Sequence, residues 1–202
     1  HYKHNVSISA YSKMAYLTLV IHIYFLVIYI LCALSNQKIM SKSKNVFISH
    51  HHKDDDAVTN FTKLLAGKEY GIRNSSIRAN PKNQERLDKK QIPEQTLKRL
   101  LRMKMRWAGT VVVLIGSQTH SREWVNWEIE QAAKLGKRIV GVFMHGGKDS
   151  DIPENLEKFG DGLVGWNSDK IIDALEGKDV GWCSSNGSPR TPVNNVKRIG
   201  CQ

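Results

Sequence analysis

The feature that most constrains the fold of this chain is an apolar run that leads through a polar turn into an amphipathic helix. Residues 111–115 (VVVLI) predict a strand buried on both faces, and residues 116–120 form a short polar turn. Ser121 suits the N-cap of a helix over residues 123–135, and Glu123 is favourable in its first turn. The segment therefore predicts a buried parallel strand followed by a helix that packs on the sheet.

One carboxylate lies on the apolar side of that predicted helix. At about 100° per residue, Glu128 falls near the middle of the apolar arc, between Trp124 and Ala132. An ionised carboxylate in such a place is costly unless it is paired or lines a cleft. Glu128 is therefore either a buried acid satisfied by an Arg or His, or the acid of a functional site.

The rest of the domain alternates short apolar runs with amphipathic stretches, which is typical of a parallel α/β sheet. We predict strands at residues 46–49, 71–79, 111–115, 138–144 and 162–166, and helices at 54–66, 93–106, 123–135 and 168–175. These elements fit a flavodoxin-like three-layer sandwich with a five-stranded parallel sheet in the order 2-1-3-4-5. Ligands of such sheets bind beyond the carboxyl ends of the strands where the strand order changes, here at strands one and three.

Two flanking segments differ in composition from this domain. Residues 14–34 are apolar apart from Thr18 and His22, and they are long enough for a transmembrane helix. Alternatively, residues 1–39 are an artefactual extension translated from AT-rich DNA upstream of Met40. We expect a hydrophobic extension over 1–39, a folded domain over 40–178 and a disordered tail over 179–202. The expected location is the cytoplasm, or a membrane if residues 14–34 are a genuine anchor.

Charge and cysteine content narrow the possible partners. The net charge is +11, and residues 82–106 carry nine Lys or Arg against three acids. This basic segment could meet nucleic acid, but no aromatic residue interleaves with its charges before Trp107, so a solvated surface is favoured and no nucleic acid is expected. Three scattered cysteines indicate neither a disulfide framework nor a zinc site.

Three pieces of sequence converge at the predicted change in strand order. Strand one ends at Ser49 and His50, strand three leads to Ser117, and Glu128 lies on the helix that follows. No completed metal-ligand pattern accompanies the three adjacent histidines, so we expect no metal. No G-x-G-x-x-G follows the first strand, and the sequence lacks a Walker loop and a G-x-S-x-G motif.

A carboxylate with aromatic and hydroxyl neighbours suits cleavage of the bond between ribose and nicotinamide in NAD. The leaving group is a pyridinium, so its departure needs no strong general acid. A carboxylate would orient the ribose hydroxyls and stabilise an oxocarbenium-like transition state. The residues permit this reaction without singling it out.

Several segments resemble TIR domains. VFISHHHKD (residues 46–54) is similar to the first TIR box, and VVVLIGSQTHSREWVNWEIEQA (111–132) to the segment that holds the catalytic glutamate as S-x-x-W-x-x-x-E. The second segment looks most like the ThsB type of TIR-like protein in the Thoeris anti-phage system, and residues 96–101 and 138–143 also suit that family. The resemblance covers residues 44–176. It departs from the common pattern between residues 80 and 92, which contain no Pro-Gly pair.

The resemblance implies an enzyme that consumes NAD as its substrate and needs no other cofactor. Members of this family release nicotinamide, make a cyclic ADP-ribose isomer and thereby activate a downstream effector, and self-association on activation is expected. By the same resemblance Glu128 matches the catalytic glutamate. The positions expected to contact substrate are Phe47, Ser49, His50, Ser117 and Trp124. The alternative is a non-catalytic TIR module that acts through protein interactions.

Overall fold

The computed structural model describes residues 22–24, 26–28, 43–50, 55–75, 92–117 and 119–193. The chain divides into two compact units, His1–Lys42 and Ser43–Gln202. In the first unit, residues 22–24 and 26–28 are helical. The rest of the predicted apolar span over residues 14–34 lies outside the described residues. Within the described ranges, no helix is both long and apolar enough to cross a membrane.

The second unit is built on a five-stranded parallel sheet in the order β2-β1-β3-β4-β5. Its strands are β1 (Lys44–Ser49), β2 (Ile72–Asn74), β3 (Thr110–Ile115), β4 (Arg138–Phe143) and β5 (Gly162–Val164). All six residues of β3 are buried, as expected for a central strand with helices on both faces. The predicted flavodoxin-like fold and strand order are confirmed.

Among the described residues, five helices form the two outer layers of the sandwich. They are α1 (Asp55–Ala66), α2 (Glu94–Trp107), α3 (Glu123–Lys134), α4 (Glu154–Phe159) and α5 (Ser168–Leu175). The side chains of α2, α3 and α4 share one core cluster, which includes Phe47. Those of α1 and α5 share the other, which includes Val46 and Ile48. The alternation of side chains along β1 therefore sends successive residues to opposite layers.

Three details of the secondary structure differ from the prediction. Strand β2 ends at Asn74, and the later part of the predicted strand lies outside the described residues. Ser121 belongs to a short 3₁₀ turn, and Arg122 takes the N-cap position of α3. Helix α4 was not predicted, because its six residues are too few for a periodic pattern to stand out.

Residues 179–193, which the sequence analysis expects in a disordered tail, form turns and bridges in the structure, and we call them the C-terminal strap. The strap runs beside β5, where Trp182 forms a parallel bridge with Leu163. It then turns back, and Arg190 forms an ion pair of 2.5 Å with Glu157 of α4. The strap thus covers an edge of the sheet that would otherwise leave backbone groups unpaired. Residues 194–202 lie outside the described residues.

A polar cluster joins three elements at the amino ends of the strands. The Tyr70 hydroxyl donates to Glu176 Oε1 at 2.6 Å, and Lys44 Nζ lies 3.1 Å from Glu176 Oε2. Burial and the hydrogen bond to Glu176 raise the pKa of Tyr70 above its usual value. The hydrogen bonds from Tyr70 and Lys44 lower the pKa of Glu176. This cluster lies at the amino ends of the strands, whereas Ser49 lies at the carboxyl end of β1.

Candidate functional site

The candidate site is organised by the carboxyl ends of β1 and β3, the neighbouring strands at the change in strand order. Ser49 ends β1 and pairs in register with Val113 of β3. Because side chains alternate along a strand, Ser49 faces the same layer as Phe47, which packs with α2 and α3. The sheet therefore presents a hydroxyl group beneath α3.

Glu128 of α3 reaches this hydroxyl group. Ser49 Oγ donates a hydrogen bond to Glu128 Oε2 at 2.5 Å, joining residues that are 79 positions apart. Ser49 is buried, and Glu128 is partly buried. The two residues that the sequence placed on different elements are thus in direct contact. Ser49 is thus a partner of the Glu128 carboxylate at the change in strand order.

Helix α3 holds Glu128 at this position through its apolar side. Its buried residues are Val125, Ile129 and Ala132, which pack in the same cluster as Phe47. Glu128 therefore lies at the border of the buried face of α3, where its carboxylate is neither fully solvated nor enclosed by the core. The fold thus holds the Glu128 carboxylate against the Ser49 hydroxyl at the carboxyl end of β1.

The turn between β3 and α3 is fixed by Thr119, a residue that the sequence analysis did not single out. Thr119 is fully buried, and its Oγ1 donates to the Gly116 carbonyl at 2.8 Å while accepting from the Gly116 N–H at 2.9 Å. Its backbone N–H also donates to the Gly116 carbonyl, at 3.1 Å. A threonine three residues after the glycine that follows β3 is the only sequence signal for this role, and a solvent-exposed threonine would show the same signal.

The other expected substrate residues fall in three different environments. His50 follows Ser49 directly, is partly buried, and has Nδ1 3.3 Å from the Ile48 carbonyl oxygen. Ser117 is exposed immediately after the end of β3. Phe47 is only 1% exposed and lies in the core beneath α3. The structure thus brings His50 and Ser117 to the strand exits, and it gives Phe47 a packing position behind Ser49.

Trp124 lies in a groove on the outer side of α3. Its ring packs edge-on against Trp127, with ring centres 5.6 Å apart, and Lys98 Nζ lies 5.7 Å from the centre of each ring. The groove encloses about 620 Å³ between the first turns of α2, α3 and α4, and Glu128 is not among its lining residues. Trp124 is one helical turn from Glu128, and its ring is part of the lining of this groove.

The basic residues of α2 are partly engaged within the protein. Lys98 is paired with Glu94 at 2.6 Å in addition to its position over the tryptophan rings, and the Arg102 guanidinium lies 5.7 Å from the centre of the Trp127 ring. Residues 82–91 of the basic segment lie outside the described residues. Across the part of the chain that the structure covers, no group of three potential metal ligands occurs.

The chain is similar to known proteins over about half of its length. The family model described as "Thoeris protein ThsB, TIR-like domain" matches residues 47–149, about half of the chain. Over 62 residues the chain is 37% identical to ThsB1 of Bacillus cereus (strain MSX-D12), whose name attributes to it a cyclic ADP-D-ribose synthase activity. That match spans 31% of this chain and 32% of the relative.

Two solved structures are similar at a lower level. The TIR domains of the activated Roq1 resistosome that recognises the pathogen effector XopQ share 17% identity, with a TM-score of 0.34 over 50% of this chain and 57% of that one. The CMP N-glycosidase BcmB of Clostridium botulinum shares 13% identity, with a TM-score of 0.40 over 66% of this chain and 98% of that one. By the extent of the family match, the chain belongs to the family of Thoeris ThsB TIR-like domains.

Proposed function

We propose that this protein cleaves NAD at the bond between ribose and nicotinamide, with Glu128 as the catalytic carboxylate. The observation that carries the proposal is the position of the Glu128 carboxylate, 2.5 Å from the Ser49 hydroxyl at the carboxyl end of β1. This is the edge of a parallel sheet, beside the change in strand order, where α/β proteins of this topology bind their ligands.

The proposed chemistry requires a negative charge more than a strong acid. Breakage of the bond between ribose C1′ and the nicotinamide nitrogen leaves both bonding electrons on the nitrogen, so the pyridinium departs as neutral nicotinamide. Positive charge then develops on the ribose ring. A fixed carboxylate stabilises this charge and orients the ribose hydroxyls, as carboxylates do in glycoside hydrolysis. Attack on C1′ by a nitrogen or hydroxyl of the same molecule, with loss of a proton, gives a cyclic ADP-ribose, whereas attack by water gives the linear product.

The neighbouring residues suit supporting roles in this reaction. We propose that the nicotinamide and ribose bind between the exits of β1 and β3, because His50 follows the end of β1 and Ser117 follows the end of β3. Phe47 supports Ser49 from within the core. Trp124 is assigned to contact with a more distant part of the NAD molecule, because its ring lines the groove between the first turns of α2, α3 and α4.

The proposed product is a cyclic ADP-ribose isomer that acts as a signal in anti-phage defence. Support comes from the family to which the chain belongs and from the name of the B. cereus relative. In this proposal the protein self-associates when it is activated in the cytoplasm, and the nucleotide product switches on a separate effector protein. The matched segment spans about a third of that relative, so the product, the self-association and the effector are all parts of the proposal.

The proposal is tested by incubating the full chain with NAD and identifying the products by mass spectrometry. We expect one nicotinamide for each NAD consumed, together with a product that has the mass of ADP-ribose less one water. A product with the mass of intact ADP-ribose would support the cleavage of NAD but would show that water attacks C1′, so that the reaction is a hydrolysis and not a cyclisation. If NAD is not consumed even at high protein concentration or in extracts of phage-infected cells, the protein is a non-catalytic interaction module.

A further inference from the structure

We propose that Ser49 is a positioning residue for Glu128, and that it acts on catalysis through the carboxylate instead of through contact with the substrate. The inference rests on the proposed function, because it assigns a role within the same NAD-cleaving site. It changes the role that the resemblance to TIR domains implied for this serine, which was contact with the substrate.

The first argument comes from the hydrogen-bonding capacity of the serine side chain. A serine hydroxyl carries a single proton, and Ser49 donates that proton to Glu128 Oε2 at 2.5 Å. Ser49 is also only 1% exposed, so very little of its surface is available to a ligand. A substrate that took the proton of this hydroxyl would have to displace the carboxylate that the reaction needs.

The second argument comes from the rigidity of the two elements that the hydrogen bond joins. Ser49 ends β1, which is paired on one side with β2 and on the other with β3. Helix α3 is anchored on the sheet by the buried side chains of Val125, Ile129 and Ala132. Since both ends of the hydrogen bond are fixed by the fold, the bond fixes the side-chain torsions of Glu128 before any substrate arrives.

The third argument concerns what such a hydrogen bond does for this reaction. A hydroxyl group that donates a hydrogen bond to a carboxylate stabilises the ionised form of that carboxylate. Such charge-assisted hydrogen bonds are stronger than those between neutral groups. An oriented negative charge is worth most when positive charge develops on the ribose, because no reorganisation is then needed in the transition state. The contribution of Ser49 is therefore expected in kcat, whereas a residue that binds NAD equally in the ground and transition states would contribute to KM.

The closing experiment measures kcat and KM for nicotinamide release by the full chain and by three variants, with folding checked by circular dichroism. Ser49→Ala is expected to lower kcat by about ten- to a hundredfold with KM for NAD changed by less than about twofold. Ser49→Thr, which keeps the hydroxyl, is expected to restore most of kcat. Ser117→Ala is the comparison variant, because Ser117 is exposed at the facing strand exit and should mainly raise KM.

Two kinetic results would overturn the inference while leaving the proposed function in place. One is a Ser49→Ala variant whose KM rises and whose kcat is unchanged, since this identifies a substrate contact. The other is a Ser49→Ala variant with wild-type kcat and KM. If the wild-type chain itself releases no nicotinamide, the proposed function has failed and the inference falls with it.

A stability measurement tests the contact without relying on activity. Urea unfolding of Ser49→Ala, Glu128→Ala and the double variant forms a double-mutant cycle, since alanine at position 128 removes the acceptor that glutamine would keep. Because the two side chains share one hydrogen bond, the double variant is expected to lose less stability than the sum of the two single losses. Additive losses would show that the two side chains do not interact, and they would overturn the inference even if every variant were active.

Discussion

The ion pair that fastens the C-terminal strap provides a quantitative test of the structure. Arg190 Nη2 lies 2.5 Å from Glu157 Oε1, and the two side chains are only 17% and 14% exposed. The backbone N–H of Val193 donates to the other oxygen of Glu157 at 3.0 Å. Replacing Arg190 by Met keeps an apolar stem near Trp182, over whose ring the guanidinium lies at 5.9 Å, but leaves the Glu157 carboxylate without its cation.

The expected loss follows from this burial. Removing one partner of a fully buried ion pair costs about 3–5 kcal/mol, because the remaining charge is left uncompensated. Two features reduce that figure: the N–H of Val193 still donates to Glu157, and Arg190 Nη1 is itself buried with no hydrogen-bond partner among the described residues. We therefore expect Arg190→Met to lower the free energy of unfolding by about 2 kcal/mol.

The matched control is an exposed ion pair of the same protein. Lys68 Nζ lies 3.1 Å from Asp169 Oδ1, with side chains that are 50% and 71% exposed, so Lys68→Met is expected to cost less than about 0.5 kcal/mol. Urea unfolding of the two variants and the wild type measures both losses. Alkylation of Cys183, whose thiol pKa is raised by burial within the strap, is expected to become faster in Arg190→Met alone. Equal losses in the two variants would refute the argument from burial.

Three further predictions concern the core, the site loop and the polar cluster at the amino ends of the strands. Thr119→Val leaves the buried Gly116 N–H without its acceptor and is expected to cost about 1–3 kcal/mol in urea unfolding, whereas Thr119→Ser should cost much less. Gly141→Ala would bring a Cβ within 2.6 and 2.7 Å of two leucine methyl groups, so a loss of about 1–3 kcal/mol is expected, and a wild-type midpoint would contradict this close packing. The lowered pKa of Glu176 predicts that its stabilising contribution is present above the pKa of an unfolded Glu, about 4.3, and is lost as pH falls through the lower folded value. The raised pKa of Tyr70 predicts a contribution that is present below about pH 10 and is lost as pH rises through the higher folded value. The melting-temperature gap between wild type and Glu176→Gln should therefore narrow near pH 3, and the gap to Tyr70→Phe should narrow at strongly alkaline pH; gaps independent of pH would contradict both assignments.

The elements at the centre of the fold could be predicted because their sequences follow recognisable patterns, a continuous apolar run in β3 and a helical repeat of apolar residues in α3. The apolar run of β3 and the helical arc of α3 are long enough to be recognised, and their order fixes which strand ends meet. The contact between Ser49 and Glu128 followed from that topology, since both lie at the change in strand order. The predicted convergence at the carboxyl ends of β1 and β3 therefore came from the fold more than from any single motif.

The features that the sequence did not reveal depend on individual contacts. The strap is held by an ion pair and a few backbone hydrogen bonds, and its Ser, Asn and Gly residues have the composition of a disordered tail. The outward position of Trp124 depends on Lys98 and Trp127, which come from two different helices. An angular plot of one helix places Trp124 beside Glu128, but it cannot show which neighbouring helix covers which side.

The most direct test of the central claim compares nicotinamide release from NAD by the wild-type chain, Glu128→Gln and Glu130→Gln. Glu130 is a matched control because it lies on the same helix and pairs with Lys134 at 2.6 Å on the surface. We expect release by the wild type and by Glu130→Gln, and a loss of at least about a hundredfold in Glu128→Gln with folding unchanged. Wild-type release by a folded Glu128→Gln variant would contradict the assignment of Glu128 as the catalytic carboxylate.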